Sequence, residues 1–275
     1  MLRVLKIGIT AATLCAAAAV PAAAQGLFGQ KTDYASITLH SGRAMEDGAR
    51  KTALRMELKP GWKTYWRSPG DSGIPPHFDW EGSSNLRAVS IDWPTPTVFE
   101  TYGSRTIGYE ERMVLPVTLT PENAAEPIEI RLNFTYGLCR EICIPGQQDI
   151  TMVIAPDAPE DGGYFLDRAA AAAPMSAEEG GLIAHECKVE GAGESRRFVA
   201  ALSVAMPFYT PPVVVAEGPE GVWFGPVTTR VEENRLVAEG PVRTDEGRWI
   251  DRETLNLTVL GAERAISLEG CAATG

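Results

Sequence analysis

The fold of this 275-residue chain is decided by residues 128–154, which read IEIRLNFTYGLCREICIPGQQDITMVI. Apolar and polar side chains alternate over residues 128–136, and residues 148–154 are a further strand candidate. This period of two is typical of a β-strand with one buried face. The segment therefore predicts two β-strands, and the residues between them carry the most distinctive chemistry of the chain.

Two cysteines, Cys139 and Cys143, lie four positions apart between these strands. On a regular helix this spacing holds the Cβ atoms too far apart for an unstrained disulfide, so we expect a turn or hairpin, which Gly137 and Pro145 permit. A disulfide here closes a loop of about five residues and stabilises the fold by only about 2 kcal/mol. One thiol of a close pair can, however, resolve a mixed disulfide that the other forms with a partner protein. We therefore interpret the pair as redox-active.

Strand-like patterns separated by turn residues continue along the rest of the chain. Such segments occur at residues 34–58, 63–66, 77–80, 88–93 and 113–119, and after residue 180 at 197–204, 212–216, 221–224, 235–238, 254–260 and 265–269. Residues 67–76 are rich in Pro and Gly and predict a loop that is neither helix nor central strand. Short strands at intervals of roughly 8 to 15 residues, with little helical period, predict an antiparallel sandwich.

Residues 157–180 differ in composition from both flanking regions. They contain Pro159, Gly162 and Gly163, followed by a short apolar segment with five consecutive alanines and Pro174. This pattern predicts a linker that carries one short helix. The sequence as a whole therefore predicts an all-β protein of two immunoglobulin-like antiparallel β-sandwich modules, residues 25–156 and residues 181–275, joined by this linker.

The first 24 residues have the composition of a secretory signal peptide. Arg3 and Lys6 give a positively charged start, residues 7–20 form an apolar run, and residues 21–24 provide small residues for cleavage. The apolar run is shorter than the roughly 20 residues that span a bilayer. We therefore expect the chain to be exported through a cleavable signal peptide.

The charge of the chain argues against nucleic acid as a partner. The formal net charge is -11, and removal of the signal peptide with its two basic residues makes it -13. Phosphate-binding surfaces need clustered Lys and Arg, and the sequence has no such cluster. The mature chain also has no apolar run of membrane-spanning length, so we expect neither nucleic-acid binding nor stable membrane insertion.

Four cysteines remain after Cys15 is removed with the signal peptide. Cys187 and Cys271 flank the second predicted module, and a bond between them closes a loop of about 85 residues, which is worth about 4 to 5 kcal/mol in the chain-entropy model. The sequence therefore predicts a permanent structural disulfide there.

Four further residues are candidates to support or cap the redox pair: Tyr65, Trp66, Asp71 and Tyr136. The aromatic side chains can form a rim over the pair or can simply pack in the core. Asp71 can transfer a proton to a departing thiolate or can be a solvated turn residue.

Two other functions use the same thiols. Two thiolates suit Cu(I), with a Met as a further ligand, whereas a closed zinc site needs four ligands and the three histidines lie far from the pair in sequence. A copper-binding or copper-tolerance module is therefore an alternative. A structural adaptor, in which the cysteines only brace a loop, is another. We expect no organic cofactor and no metal in the redox interpretation.

The segments GWKTYWRSPGDSG at residues 61–73 and YGLCREICIP at residues 136–145 resemble the periplasmic N-terminal domain of the DsbD/ScsB family of thiol:disulfide interchange proteins. The resemblance implies an immunoglobulin-like sandwich whose cysteine pair accepts electrons from a membrane-embedded thiol carrier of the DsbD/CcdA type and passes them to periplasmic thioredoxin-like proteins. It implies that Cys139 and Cys143 are the redox pair, that Cys143 bonds with the partner, and that a loop covers the pair, here about residues 65–74. The expected function is that of a periplasmic protein-disulfide reductase or electron relay.

This chain departs from the family pattern in two respects. Full-length members continue into a multi-helix membrane domain and in many cases a thioredoxin-like domain, whereas this chain stops at Gly275. We therefore expect a stand-alone domain that takes electrons from a separate membrane protein. The two cysteines are also closer together than in the best-known members, so partner choice does not carry over.

Overall fold

The computed structural model describes residues 32–101, 103–191, 196–205, 208–232, 234–245, 249–262 and 264–271. The predicted signal peptide lies outside these residues. In the part of the chain that is described, no helix is long and apolar enough to cross a membrane.

The described residues form two groups of β-strands with one α-helix between them. The first group comprises β1 (Ala35–Ala44), β2 (Arg50–Leu58), β3 (Lys63–Gly70), β4 (His77–Asp79), β5 (Ala88–Ile91), β6 (Thr97–Thr101), β7 (Ser104–Glu110), β8 (Arg112–Thr120), β9 (Ile128–Cys139) and β10 (Cys143–Ile154). The helix is α1 (Gly163–Ala171). The second group comprises β11 (Leu182–Glu190), β12 (Arg197–Val204), β13 (Val213–Glu217), β14 (Val222–Phe224), β15 (Thr228–Glu232), β16 (Arg235–Thr244), β17 (Asn256–Leu260) and β18 (Ala265–Glu269), with a 3-10 turn at Arg252–Thr254.

The first module, made of β1 to β10, is a sandwich of two antiparallel sheets. One sheet has the order β1-β2-β8-β5, and the other has the order β10-β9-β3-β7-β6, with β4 paired to β9. Alternate residues of β9 are buried because successive side chains of a strand point to opposite faces of the sheet. The core between the sheets includes Leu54, Met56, Trp66, Met113, Leu115, Ile130, Leu132, Phe134 and Tyr136.

The second module, made of β11 to β18, has its own pair of sheets and its own core. One sheet has the order β11-β12-β16-β14, with β15 also paired to β16, and the other has the order β13-β17-β18. Its core includes Phe198, Leu202, Leu236, Val242, Leu255 and Leu257, together with both cysteines of this module. The predicted fold of two immunoglobulin-like antiparallel sandwiches joined by a linker with a short helix is therefore confirmed.

Two details of the first module differ from the sequence-based expectation. The predicted loop at residues 67–76 is wrong for its first four residues, because β3 runs on to Gly70 in the interior of its sheet. Pro69 is tolerated there because the pairing of β3 with β7 is interrupted between Tyr65 and Gly70. In addition, the sequence pattern does not predict β6 and β7. Gly108 breaks the apolar pattern of β7, and it is a glycine because an added Cβ would lie 1.9 Å from the Thr64 carbonyl oxygen.

The linker is attached to both modules. The buried guanidinium of Arg50 donates hydrogen bonds to the Ala158 carbonyl oxygen, and Arg43 pairs with Glu160 and with Asp167 of α1. Beyond α1, Met175 forms a parallel bridge with Ile266 of β18. These contacts hold the helix on the sheet of β1, β2 and β8 and lead the chain into the second module.

Candidate redox site

The two cysteines of the first module lie at the ends of a β-hairpin. Cys139 is the last residue of β9 and Cys143 is the first residue of β10, and the two are direct partners in the antiparallel ladder. Only three residues connect them, and the Arg140 amide donates a hydrogen bond to the Ile142 carbonyl oxygen at 3.2 Å. The two Cα atoms are 4.1 Å apart and the sulfurs form a disulfide. The hairpin that the four-residue spacing predicts is therefore confirmed.

The hairpin tip is open to solvent. Cys143 is exposed and Cys139 is half-buried. Ile142, which directly precedes Cys143, keeps 69% of its surface exposed although it is aliphatic. Arg140 and Glu141 beside it are exposed and form a long ion pair of 3.8 Å. Cys143 and Ile142 therefore both belong to the exposed surface of the hairpin tip.

The buried Tyr65 contacts the Cys143 sulfur from the interior of the first module. Its hydroxyl oxygen lies 3.1 Å from Cys143 Sγ. A disulfide sulfur carries no hydrogen, so the tyrosine hydroxyl is the donor in this contact. The side chain is buried in strand β3, and desolvation raises the pKa of Tyr65 above its ordinary value. Tyr65 therefore stays a hydrogen-bond donor throughout the neutral pH range.

Two glycines leave room for the Tyr65 ring. A Cβ atom added at Gly137 would lie 2.7 Å from Cδ2 of the ring, and a Cβ atom added at Gly73 would lie 2.7 Å from Cδ1. Real Cβ contacts are not this short, so the ring fits between β9 and the Pro/Gly loop only because both positions lack a side chain. Gly137, two residues before Cys139, thus permits the close approach of the tyrosine to the disulfide.

The other three candidate supporting residues lie in different surroundings. Trp66 belongs to the first core and is stacked against Arg67, whose guanidinium lies 4.3 Å from the ring centroid. Tyr136 is also buried in that core, 5.1 Å from the Phe134 ring, and desolvation raises its pKa. Asp71 accepts a hydrogen bond from the Arg105 amide at 2.8 Å. The structure therefore brings Tyr65 to the disulfide, while the segment 65–74 leaves Cys143 exposed.

Sequence reasoning missed two residues at this site. Ile142 is not among the candidates from the sequence, although its place between the two cysteines is a signal that an apolar side chain borders the disulfide. Lys63 is the ladder partner of Cys139 on β3, and its Nζ lies 3.7 Å from the Phe99 ring centroid. Nothing in the local sequence connects Lys63 with a cysteine 76 positions away, because the pairing of β3 with β9 is a tertiary feature.

The second disulfide joins Cys187 in β11 to Cys271 just after β18, with Cα atoms 5.6 Å apart. Cys187 has no exposed surface and Cys271 keeps 3%. The backbone on both sides is fixed by Arg252, which donates to the Cys187 carbonyl oxygen from its side chain and accepts from the Cys271 amide through its own carbonyl oxygen. This bond lies inside the core of the second module.

For the copper-binding alternative, the described residues add no group of His, Asp or Glu ligands to the two hairpin cysteines. Among the residues that the structure describes, no group of three or more His, Cys, Asp or Glu side chains could hold a metal ion. The copper alternative therefore rests on the two thiols of the hairpin.

The fold and this site define a β-sandwich protein with an accessible disulfide on a hairpin. Residues 38–155 match the model of the family described as "Thiol:disulfide interchange protein DsbD, N-terminal". The match covers nearly the whole first module, from β1 to the end of β10. Residues 38–155 are therefore a DsbD-type N-terminal domain, which is a domain of thiol:disulfide interchange proteins. No curated protein matches the chain significantly.

Solved structures with a similar fold include "Crystal structure of the N-terminal periplasmic domain of ScsB from Proteus mirabilis". The two chains share 21% sequence identity with a TM-score of 0.67, and the match covers 89% of this chain and 95% of that one. The likeness extends over both modules and supports the fold. A second match, "Crystal Structure of Neisseria meningitidis DsbD n-terminal domain in the reduced form", has 16% identity, a TM-score of 0.26, and covers 42% of this chain and 84% of that one.

Proposed function

We propose that this protein is a periplasmic thiol-disulfide oxidoreductase that relays electrons through the Cys139-Cys143 pair. It takes electrons from a membrane-embedded thiol carrier of the DsbD/CcdA type and passes them to thioredoxin-like proteins. The observation that carries this proposal is the exposed residue Cys143 on a hairpin, whose sulfur accepts a hydrogen bond from the hydroxyl of the buried Tyr65. The family of residues 38–155 supports the same chemistry.

In the forward reaction the reduced pair gives two electrons to a partner disulfide. The Cys143 thiolate attacks one partner sulfur, so the partner disulfide breaks, a mixed disulfide forms, and the other partner cysteine leaves as a thiolate and takes up a proton. Cys139 then loses its proton, and its thiolate attacks the Cys143 sulfur. The Cys139-Cys143 bond forms again, and the second partner cysteine leaves and is protonated. The partner is reduced to a dithiol, and this protein is oxidised.

The reverse sequence recharges the protein. A dithiol of the carrier attacks the exposed Cys143 sulfur, Cys139 leaves as a thiolate and is protonated, and the second carrier thiol releases Cys143. Tyr65 supports the steps in which Cys143 carries negative charge, because a hydrogen bond to a charged acceptor is stronger than one to a neutral acceptor. The role of Tyr65 is therefore to position and stabilise the sulfur that partners attack.

The reduction potential of the hairpin disulfide separates this function from a structural role. We expect the pair to equilibrate with a thioredoxin-like protein at a potential within the range of exchange proteins, about -120 to -270 mV. Mass spectrometry of alkylated thiols at each potential identifies which cysteines have reacted, and Cys187 and Cys271 serve as the internal control that stays oxidised. A potential below about -300 mV, or equal reduction of all four cysteines, would contradict the proposal.

A further inference from the structure

Strand β3, which carries Tyr65, has no regular pairing with its neighbouring strands directly after this residue. β3 pairs with β9 only at Lys63 and Thr64. Its pairing with β7 stops at Tyr65 and resumes at Gly70, so that four residues of β3 lie opposite a single residue of β7. The segment 66–69 therefore bulges out of the sheet ladder, and other contacts must hold it in place.

One such contact comes from the second module. The Arg67 guanidinium donates two parallel hydrogen bonds to the Glu217 carboxylate of β13, from Nε to Oε1 at 2.9 Å and from Nη2 to Oε2 at 2.8 Å. The two side chains are only 33% and 20% exposed. A bidentate pair of this kind fixes the orientation of both partners, because the planar guanidinium matches the carboxylate in geometry. The pair is partly desolvated, so solvent and salt screen it less than a surface ion pair.

The surroundings of this ion pair show that the second module lies against the bulged segment. Val213 and Val215 of β13 pack against the core of the first module. Leu260 of β17 and Ala265 of β18 belong to that same core. Between the modules a cleft of about 530 Å³ is lined by residues 68–71 on one side and residues 213–216 on the other.

We infer that the second module braces the redox site, with Glu217 holding Arg67 so that Tyr65 keeps its hydroxyl on the Cys143 sulfur. This inference rests on the proposed function. Arg67 is two residues beyond Tyr65, and the Trp66 between them is buried and stacked against the Arg67 guanidinium. A displacement of Arg67 therefore moves the β3 backbone that carries Tyr65. Arg67 and Glu217 are positioning residues, since neither contacts the sulfurs.

A double-mutant cycle distinguishes a brace from simple adhesion between the modules. The variants are Glu217→Gln, Tyr65→Phe and the two combined. The readout is the second-order rate constant with which the reduced Cys139-Cys143 pair reduces the disulfide of an oxidised thioredoxin-like protein, because the Cys143 thiolate is the attacking group in that step. We expect each single variant to be slower by a similar factor, about threefold to tenfold, because each loses the same hydrogen bond to the sulfur. The combined variant is then no slower than Tyr65→Phe alone.

The matched control is Glu239→Gln. Glu239 also pairs with arginines in the second module, namely Arg197 and Arg230, and its side chain is 29% exposed, close to the exposure of Glu217. We expect this variant to react at the wild-type rate. Denaturation in urea of every variant reports any general loss of stability. Arg67→Lys, which keeps the charge without the fork of donors, should slow the reaction in the same direction as Glu217→Gln.

Three results would overturn the inference. Glu217→Gln could react at the wild-type rate, its effect could multiply with that of Tyr65→Phe, or Tyr65→Phe could have no effect of its own. In each case the wild-type protein still reacts, so the proposed function stands. A wild-type protein whose reduced hairpin pair exchanges with no thioredoxin-like protein would overturn the proposed function and, with it, the inference.

Discussion

The two disulfides of this protein differ in solvent exposure and in the length of the loop that each one closes. In the first module Cys143 is exposed at a hairpin tip and the bond closes a loop of about five residues. In the second module Cys187 and Cys271 are buried in the core and are separated by 84 positions. In the chain-entropy model the short loop contributes about 2 kcal/mol and the long loop about 4 to 5 kcal/mol. Access and loop length are the observations from which we propose exchange chemistry for the first bond and a stabilising role for the second.

The largest effect that would test this contrast is loss of the attacked sulfur. We expect Cys143→Ser to reduce exchange with a thioredoxin-like protein to the uncatalysed background, because no other exposed sulfur is found among the described cysteines. Cys139→Ser should instead accumulate a mixed disulfide, since Cys143 still attacks but cannot be resolved. Non-reducing electrophoresis of each variant with the partner measures both outcomes. If Cys139→Ser and Cys143→Ser exchanged roles, Cys139 would be the attacked residue.

The next largest effect concerns stability. We expect the double variant Cys187→Ser/Cys271→Ser to lose about 4 to 5 kcal/mol of unfolding free energy in the second module, because the unfolded chain is no longer closed into a long loop. Urea denaturation followed by hydrogen exchange of peptides from each module measures this loss and shows where it occurs.

The same double variant should still undergo exchange at Cys139 and Cys143 within about twofold of the wild-type rate under native conditions, because the brace needs only a folded second module. A loss of exchange without a loss of folding would show that the buried bond takes part in the redox chemistry. That result would remove the distinction between the two disulfides.

A smaller effect is expected at the hairpin tip. We expect a partner that bonds with Cys143 to cover the neighbouring Ile142, and burial of an aliphatic side chain contributes about 1.5 kcal/mol or more. We therefore expect Ile142→Ser to lower the second-order rate constant with a thioredoxin-like protein about tenfold while leaving reduction by dithiothreitol unchanged. The matched control is Val153→Ser, which replaces an aliphatic residue that is 66% exposed at the far end of the hairpin. Equal effects of the two substitutions would exclude a specific contact at Ile142.

The smallest expected effect is the dependence of the first module's stability on alkaline pH. Burial raises the pKa of Tyr65, Tyr109 and Tyr136, all in the first module. Above about pH 10 tyrosines of the unfolded chain ionise while these three stay protonated, so the free energy of unfolding falls as the pH rises. The stabilisation is fully present below pH 10 and is lost toward the folded-state pKa values.

Tyr109→Phe tests this dependence. At neutral pH the variant should lose about 1 kcal/mol, because the Tyr109 hydroxyl donates to the Pro94 carbonyl oxygen at 2.8 Å. Above pH 10 its unfolding free energy should decline less steeply than that of the wild type, since one buried ionisable group is gone. Urea denaturation at a series of pH values measures both quantities, and parallel curves would contradict the assignment.

The sequence predicted local features of the fold well. The alternation in β9 and the four-residue cysteine spacing were enough for strands and a hairpin, because both patterns concern residues that are close along the chain. β6 and β7 were missed because Gly108 and the polar residues around it do not alternate. The role of Gly108 is to make room for the backbone of β3, and this appears only when the two strands are placed side by side.

At the candidate site too, the sequence predicts the residues that are close along the chain but not the contacts between distant ones. Cys139 and Cys143 were found from their spacing, and Tyr65 was one of four possible supporting residues. The hydrogen bond from Tyr65 to Cys143 joins residues 78 positions apart, and the ion pair between Arg67 and Glu217 joins residues 150 positions apart. No local pattern specifies such pairs.

The amino-acid sequence by itself determined the class of the fold, the pairing of close cysteines and the family of the first module, since these depend on short-range periodicity, spacing and motif. The tertiary structure alone decided which cysteine is exposed, which tyrosine contacts its sulfur and how the second module contacts the segment next to that tyrosine. The physical reason is that strand pairing across long sequence separations sets solvent access and side-chain contacts, and both depend on every strand that packs nearby.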